Sequence, residues 1–305
     1  MRRSIVAAVV AGVLAITVPP STASTASTAN TAGSAGTASS AGDQHNRRDR
    51  HLGVPAYWAP DAAGTARFDA LVDAAPVVGM VVVNGPTSSA PAPFDPAVAA
   101  QIRRLYHAGI TVLGYVDTGY LGRTGMTTTR VNPGSTAVAD WRAQASRDAA
   151  EWFALYGRYG LDGVFFDQTL PDCGPDDANV DVYHAIADTL RETARDAFVA
   201  LNPGTGPEEC YAEVADALVV FENTYATYLT WSPPEWVGRH RSRQFWHLVH
   251  GAASTDEMRA AVALSEQRRA GFVYVTDDAI DETGSPWDRL PPTPYWRDEV
   301  RRVHG

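Results

Sequence analysis

Lysine is missing from this chain: all 25 basic residues among its 305 are arginine. No lysine amine means no Schiff-base or pyridoxal-phosphate lysine and no P-loop lysine. Many barrel aldolases and nucleotide-dependent enzymes are excluded on that ground alone. Positive charge is scarce overall, with a net charge of −10. A nucleic-acid partner needs a basic footprint, so none is expected. The uncharged apolar run from Ile5 to Val18 falls short of the roughly 20 residues that span a bilayer. Cysteine is limited to Cys173 and Cys210. In an exported chain such a pair suggests one disulfide; two separate buried thiols are the other reading.

What is present supports a folded domain behind a leader. Hydrophobic residues make up 45% of the chain, enough for a sizeable core. Arg2 and Arg3 precede the apolar run, and Pro19, Pro20 and small residues follow it to Ala23. That order predicts a secretory signal peptide over 1–23, an uncleaved anchor being the alternative. Residues 24–50 are mainly Ser, Thr, Ala and Gly with a polar end, a composition expected of a flexible linker. Residues 51–305 remain as one domain. The first 50 residues carry five arginines against two aspartates, so this domain is more acidic than the whole chain. An extracellular monomer, off the membrane once the signal is cleaved, is expected.

Short apolar runs alternate with helical patterns. The runs are Val54–Trp58, Val77–Asn84, Thr111–Asp117, Gly163–Asp167, Phe198–Asn202, Leu218–Glu222, Gln244–His250 and Phe272–Asp277. Amphipathic stretches fall near 66–74, 95–108, 138–159, 178–196, 208–216, 255–269 and 287–303, with an irregular aromatic stretch between the sixth and seventh runs. Alternation implies parallel pairing, and continuous apolar runs imply strands covered on both faces. Eight units in one domain predict an α/β fold of the (β/α)8 TIM-barrel type, with an open doubly wound sheet as the alternative. Gly109 and Gly271 read as helix stops, and Thr255 before Asp256 and Glu257 as a helix start.

A barrel keeps its chemistry at the C-terminal ends of its strands. Those ends here carry acids, amides and aromatics, the lining expected of a carbohydrate site. Asp167 and Glu222 each follow a phenylalanine and end an apolar strand. Strands four and six lie about 10 Å apart at ~4.8 Å per strand, so inward side chains approach to roughly 5–6 Å. That spacing suits a retaining glycosidase, although the estimate leaves inversion open. An acid against an apolar wall has a raised pKa, as a proton donor needs. Strand-end acids that merely cap helices or pair with arginine are the structural alternative.

Val54-Pro55-Ala56-Tyr57, Val83-Asn84-Gly85-Pro86, Leu113 through Tyr120, Gly163-Val164-Phe165-Phe166-Asp167, Leu201-Asn202-Pro203-Gly204-Thr205, Val220-Phe221-Glu222 with Tyr225, and Val249-His250 occur in order. Together they resemble the spherulin-4-like family over residues 52–296. The resemblance implies a secreted (β/α)8 glycoside hydrolase acting on galactosamine- or N-acetylgalactosamine-containing polysaccharide. It implies that Asp167 is the nucleophile and Glu222 the acid/base. One departure is visible: Gln168 stands where the family usually has Glu. Gln holds no titratable proton but can hydrogen-bond a sugar. The alternative reading is therefore a non-catalytic polysaccharide-binding or coat protein on the same barrel.

Candidate substrate contacts are Tyr57, Asn84, Asp117, Tyr120, Gln168, Asn202, Asn223, Tyr225, Trp231, His250 and Asp277. Tyr115 has a buried hydrogen-bonding role as its equal alternative, and Arg123 is a weaker candidate. His247 faces the strand side opposite His250 and reads as a packed histidine, not a zinc partner. Asp277 and Asp278 bind substrate amines or cap the last helix. Of Trp58, Trp231, Trp236 and Trp246, only Trp231 is expected to stack on sugar. No cofactor and no metal are expected, since Asp172, Asp176 and Asp177 lack the spacing of a calcium loop. A metal-dependent hydrolase using Asp167, Glu222 and Asp277 is a third option.

Overall fold

The computed structural model describes residues 50–86, 90–280 and 285–304; the expected signal peptide and all of the linker but Arg50 lie outside them. Eight strands form one closed, wholly parallel barrel in chain order. They are β1 His51–Ala56, β2 Val78–Val83, β3 Thr111–Asp117, β4 Gly163–Asp167, β5 Phe198–Asn202, β6 Ala217–Thr224, β7 Phe245–His250 and β8 Phe272–Val275. The helices outside are α1 Ala62–Asp73, α2 Pro96–His107, α3 Val138–Tyr156, α4 Val180–Thr193, α5 Tyr225–Thr230, α6 Thr255–Gln267 and α7 Thr293–His304. Among the described residues, no helix is long and apolar enough to cross a membrane.

The three runs expected at Thr111–Asp117, Gly163–Asp167 and Phe198–Asn202 match their strands end to end. Each is apolar on both faces because one face fills the barrel and the other meets helices. The 208–216 stretch makes only a 3-10 turn, Glu209–Glu213. Cys210 sits within it and is disulfide-bonded to Cys173, as the cysteine pair suggested. The last helix begins at Thr293, not 287, because Pro291 and Pro292 precede it.

Side-chain caps start α1, α2 and α6. Asp61 accepts from the Gly64 N–H at 2.8 Å, and Asp95 from the Ala97 N–H at 2.7 Å. Ser254, not Thr255, caps α6, in a capping box with Glu257. Gly109 ends α2 at φ +79°, as expected, but after α6 the left-handed residue is Arg269 at φ +65°. Gly271 serves a different need: a Cβ there would lie 2.3 Å from the Arg243 backbone. The linker boundary also moves. Arg50 is buried, donating to the carbonyls of Ala270 and Val262 and to Ser265 Oγ, so it anchors β1 at the closed end.

The barrel interior is packed. Trp246 crosses it edge-on to Phe165, with ring centroids 5.5 Å apart, and fits against Gly53. This tryptophan is core and faces no sugar. Trp58 packs on Phe68 and Trp236 on Phe245, likewise structural. At the β1–β8 seam the ladder runs only over His51–Phe272 and Leu52–Val273. Above it the Val275 N–H donates to Glu299 Oε1 of α7, which satisfies a strand group that β1 does not reach.

Candidate active site

Asp117, Asp167 and Asn202 lie abreast on β3, β4 and β5, each the last residue of its strand. Below Asp167 the strand is sealed, with Val164, Phe165 and Phe166 at most 1% exposed. Asp167 is thus the first polar side chain of β4 to reach the open end. Two residues below Asp117, on the same face, Tyr115 donates its hydroxyl to Asp167 Oδ2 at 2.8 Å. The Tyr115 backbone is itself fixed: the Trp152 indole donates to its carbonyl at 2.8 Å and lies flat against Gly114, where a Cβ would come within 2.4 Å of the ring.

Asn202 joins the two carboxylates. Its Nδ2 donates to Asp167 Oδ1 at 2.8 Å and to Glu222 Oε2 at 2.6 Å. The Gly204 N–H donates to its Oδ1 at 3.0 Å, which fixes the amide orientation. Two acceptors on one nitrogen are no farther apart than the sum of those bonds. The two bonded oxygens, Asp167 Oδ1 and Glu222 Oε2, therefore lie no farther apart than about the 5–5.5 Å at which retaining glycosidases hold their carboxyl groups. Glu222 reaches this position because the β6–β7 register shifts between Val219 and Phe221, a bulge that re-aims the end of β6. The Trp287 indole donates to Glu222 Oε1 at 3.0 Å.

Among the described residues, every donor to the pair is neutral, and burial dominates its ionisation. Burial, then the Asp167 charge, pushes Glu222 up to about 7 against the opposing donors Asn202 and Trp287. Burial also raises Asp167, opposed by Tyr115, the Gln168 N–H and Asn202. Asp117 rises to about 6, chiefly by burial, against the Gly119 N–H that its Oδ1 accepts at 2.7 Å. Tyr120 rises to about 12 by burial and then by the charges of Asp167, Glu222 and Asp117, so it stays a neutral hydroxyl over the site.

The structure brings Asp167, Glu222, Asn202, Asp117, Tyr57, Tyr120 and His250 to one mouth. Tyr57 meets Tyr115 edge-on at 5.2 Å and feels both carboxylates, and His250 meets Trp287 at 6.1 Å. Other candidates are placed differently. Trp231 lies outside the barrel wall, on Phe221, Tyr228 and His247, with Arg268 over its ring. Phe221 and Glu222 point to opposite faces, so a side chain packed on Phe221 cannot face the carboxylates. Its expected sugar stacking is corrected to helix-layer packing. His247 is packed as expected, with Nδ1 on the Tyr228 hydroxyl at 2.7 Å.

Asn84 borders a crevice between α1 and α2, beside Trp58, Phe68 and Gln101, and its Oδ1 accepts from Gly85 N–H. The Asn223 Oδ1 accepts from the Thr224 N–H, and half-buried Tyr225 opens α5. Gln168 is buried at φ +54°; its carbonyl accepts from the Tyr120 N–H at 2.7 Å and the Thr118 hydroxyl at 2.8 Å. It builds the floor under Tyr120. Arg123 is exposed and acts on Tyr183 and Tyr211. Asp277 and Asp278 both pair with Arg289, at 3.0 and 2.8 Å. The metal option therefore loses its third ligand, and an amide donor occupies the gap between the other two carboxylates.

Two contributors escape sequence reading. Trp287 and Arg289 sit in a stretch assigned to the last helix, and nothing in their spacing points back across the barrel.

The comparisons agree with this architecture. A family model described as spherulation-specific family 4 matches residues 51–303. Spherulin-4 of Physarum polycephalum is 26% identical over 236 residues, which is 75% of this chain but 63% of that relative's length. Among solved structures, Aspergillus clavatus Sph3 in complex with GalNAc superposes with a TM-score of 0.64 at 22% identity, covering 84% of this chain and 98% of that one. A chitinase from Chromobacterium violaceum gives 0.50 at 13% identity, covering 83% and 99%. These likenesses show the fold, a single (β/α)8 barrel.

Proposed function

The chain belongs to spherulation-specific family 4, and from that premise we propose that it is a glycoside hydrolase of galactosamine- or N-acetylgalactosamine-containing polysaccharide, working by retention. The observation that carries the reading is the single Asn202 amide bonded to both Asp167 and Glu222 at the barrel mouth. The GalNAc bound to Aspergillus clavatus Sph3 supports the choice of sugar.

The two carboxylates divide the work by environment. Asp167 takes the Tyr115 hydroxyl, the Asn202 amide and the Gln168 N–H, donors that favour its anion. It attacks the anomeric carbon and forms a glycosyl–enzyme ester as the glycosidic bond breaks. Glu222, raised to about 7, holds a proton near neutrality and delivers it to the leaving oxygen. The Glu222 anion then takes a proton from water, the hydroxide attacks the same carbon, and Asp167 departs. The predicted leader and the Cys173–Cys210 bridge fit work outside the cell.

Acetylated and deacetylated galactosamine polymers, assayed for new reducing ends with product sizing, test this reading. The first-formed anomer, read by NMR, is expected to keep the substrate's configuration. Gln168 favours a second reading, a polysaccharide binder: retention of polymer with no new ends establishes it.

A further inference from the structure

We infer that Trp287 is a positioning residue for Glu222, held in place in a strap of residues 285–292 that leads into α7. The inference rests on Glu222 being the acid/base proposed above, but its first test needs no turnover.

The indole N–H lies 3.0 Å from Glu222 Oε1, while Asn202 holds Oε2 at 2.6 Å. Each oxygen of this carboxyl therefore has its own neutral donor, one from β5 and one from the strap. The indole has little freedom to leave. Trp287 is 4% exposed, with its ring 6.1 Å from His250 and 5.8 Å from Tyr274. Its carbonyl accepts from the Tyr57 N–H at 3.3 Å. Two residues on, Arg289 bonds Asp277 Oδ1 at 3.0 Å and Asp278 Oδ2 at 2.8 Å, tying the strap to the end of β8. A donor to a carboxylate favours its anion. Trp287 thus sets the direction of the acid/base and restrains the rise in its pKa that burial and Asp167 impose. The groups facing Glu222 are Asp167 from β4, Asn202 from β5, Tyr57 beyond β1, Tyr120 beyond β3 and Trp287.

Intrinsic fluorescence of the full chain is titrated from pH 5 to 9. A step with its midpoint near that of Glu222 is expected in the wild type and is expected to vanish in both Trp287→Phe and Glu222→Gln. The second variant is isosteric and folds even if the first does not. If Glu222→Gln keeps the wild-type step, or the wild type has none, the inference is overturned. With turnover as readout, Trp287→Phe is expected to lower kcat about tenfold with KM nearly unchanged, and to move the basic limb of kcat up by about one pH unit. An unmoved limb, or a loss confined to KM, overturns it. Loss of turnover in the wild type with the fluorescence step intact counts against the hydrolase reading and not against this contact.

Discussion

Two pairs of acids share one rim and are held in opposite ways. Asp277 and Asp278 pair with the guanidinium of Arg289. Among the described residues, Asp167 and Glu222 receive only a phenol, an amide, an indole and a backbone N–H. A cation fixes position through charge-assisted bonds that are shorter and stronger than neutral ones. A neutral donor fixes position with a weaker bias, so burial still lifts Glu222 to about 7. The lesson is that ion pairing ties chain segments together on this rim, while the neutral donors hold Glu222 in place and burial still keeps its proton near neutrality.

The comparison is broken most severely at the pair itself. Asp167→Asn and Glu222→Gln are each expected to cut hydrolysis by about 10²–10⁴-fold with the fold intact, checked by reducing-end assay and circular dichroism. Wild-type rates in both variants would sink the mechanism. Asn202→Ala removes the bridge and is expected to lower kcat about 10–100-fold, because a lost hydrogen bond to a charged group is worth about 1.5–3 kcal/mol. Steady-state kinetics at several pH values read it, and an unchanged kcat would show that the bridge does not matter.

Ionisation sharpens the contrast. Glu222 must be protonated to act as acid, so kcat is expected to fall as pH rises through about 7. Stability carries the same sign. Its folded pKa lies above the ordinary 4.5, so its contribution is full below about 4.5 and is lost as pH rises through about 7. Denaturant midpoints of Glu222→Gln should therefore decline less over that range than those of the wild type. Trp231→Ala, on the outer wall, is expected to lower stability by about 3 kcal/mol and leave KM alone. A large rise in KM would return Trp231 to the sugar site.

Much of this was legible in the chain. The strand runs ending in Asp117, Asp167 and Asn202 declared themselves because apolar residues stop where the core meets the open end. Glu222 could be named for the same reason. Trp231 misled because an aromatic residue in a loop looks alike whether it faces sugar or packs on Phe221. Asp277 gave no sign of its arginine partner, because that partner lies 12 residues further along the chain. Asn84 stood at a strand end, yet a side chain there can settle into its own turn, as it does on Gly85.

By itself the sequence determined the eightfold alternation, the apolar strands and the level at which polarity begins, since burial and periodicity are local properties of the chain. Tertiary structure alone decided that Asn202 spans both carboxylates, that Trp287 returns to Glu222 over 65 positions of sequence, and that Arg289 pairs with two acids. Those bonds form between segments that barrel closure brings together, and a hydrogen bond depends on positions within a few tenths of an ångström that no spacing along the chain encodes.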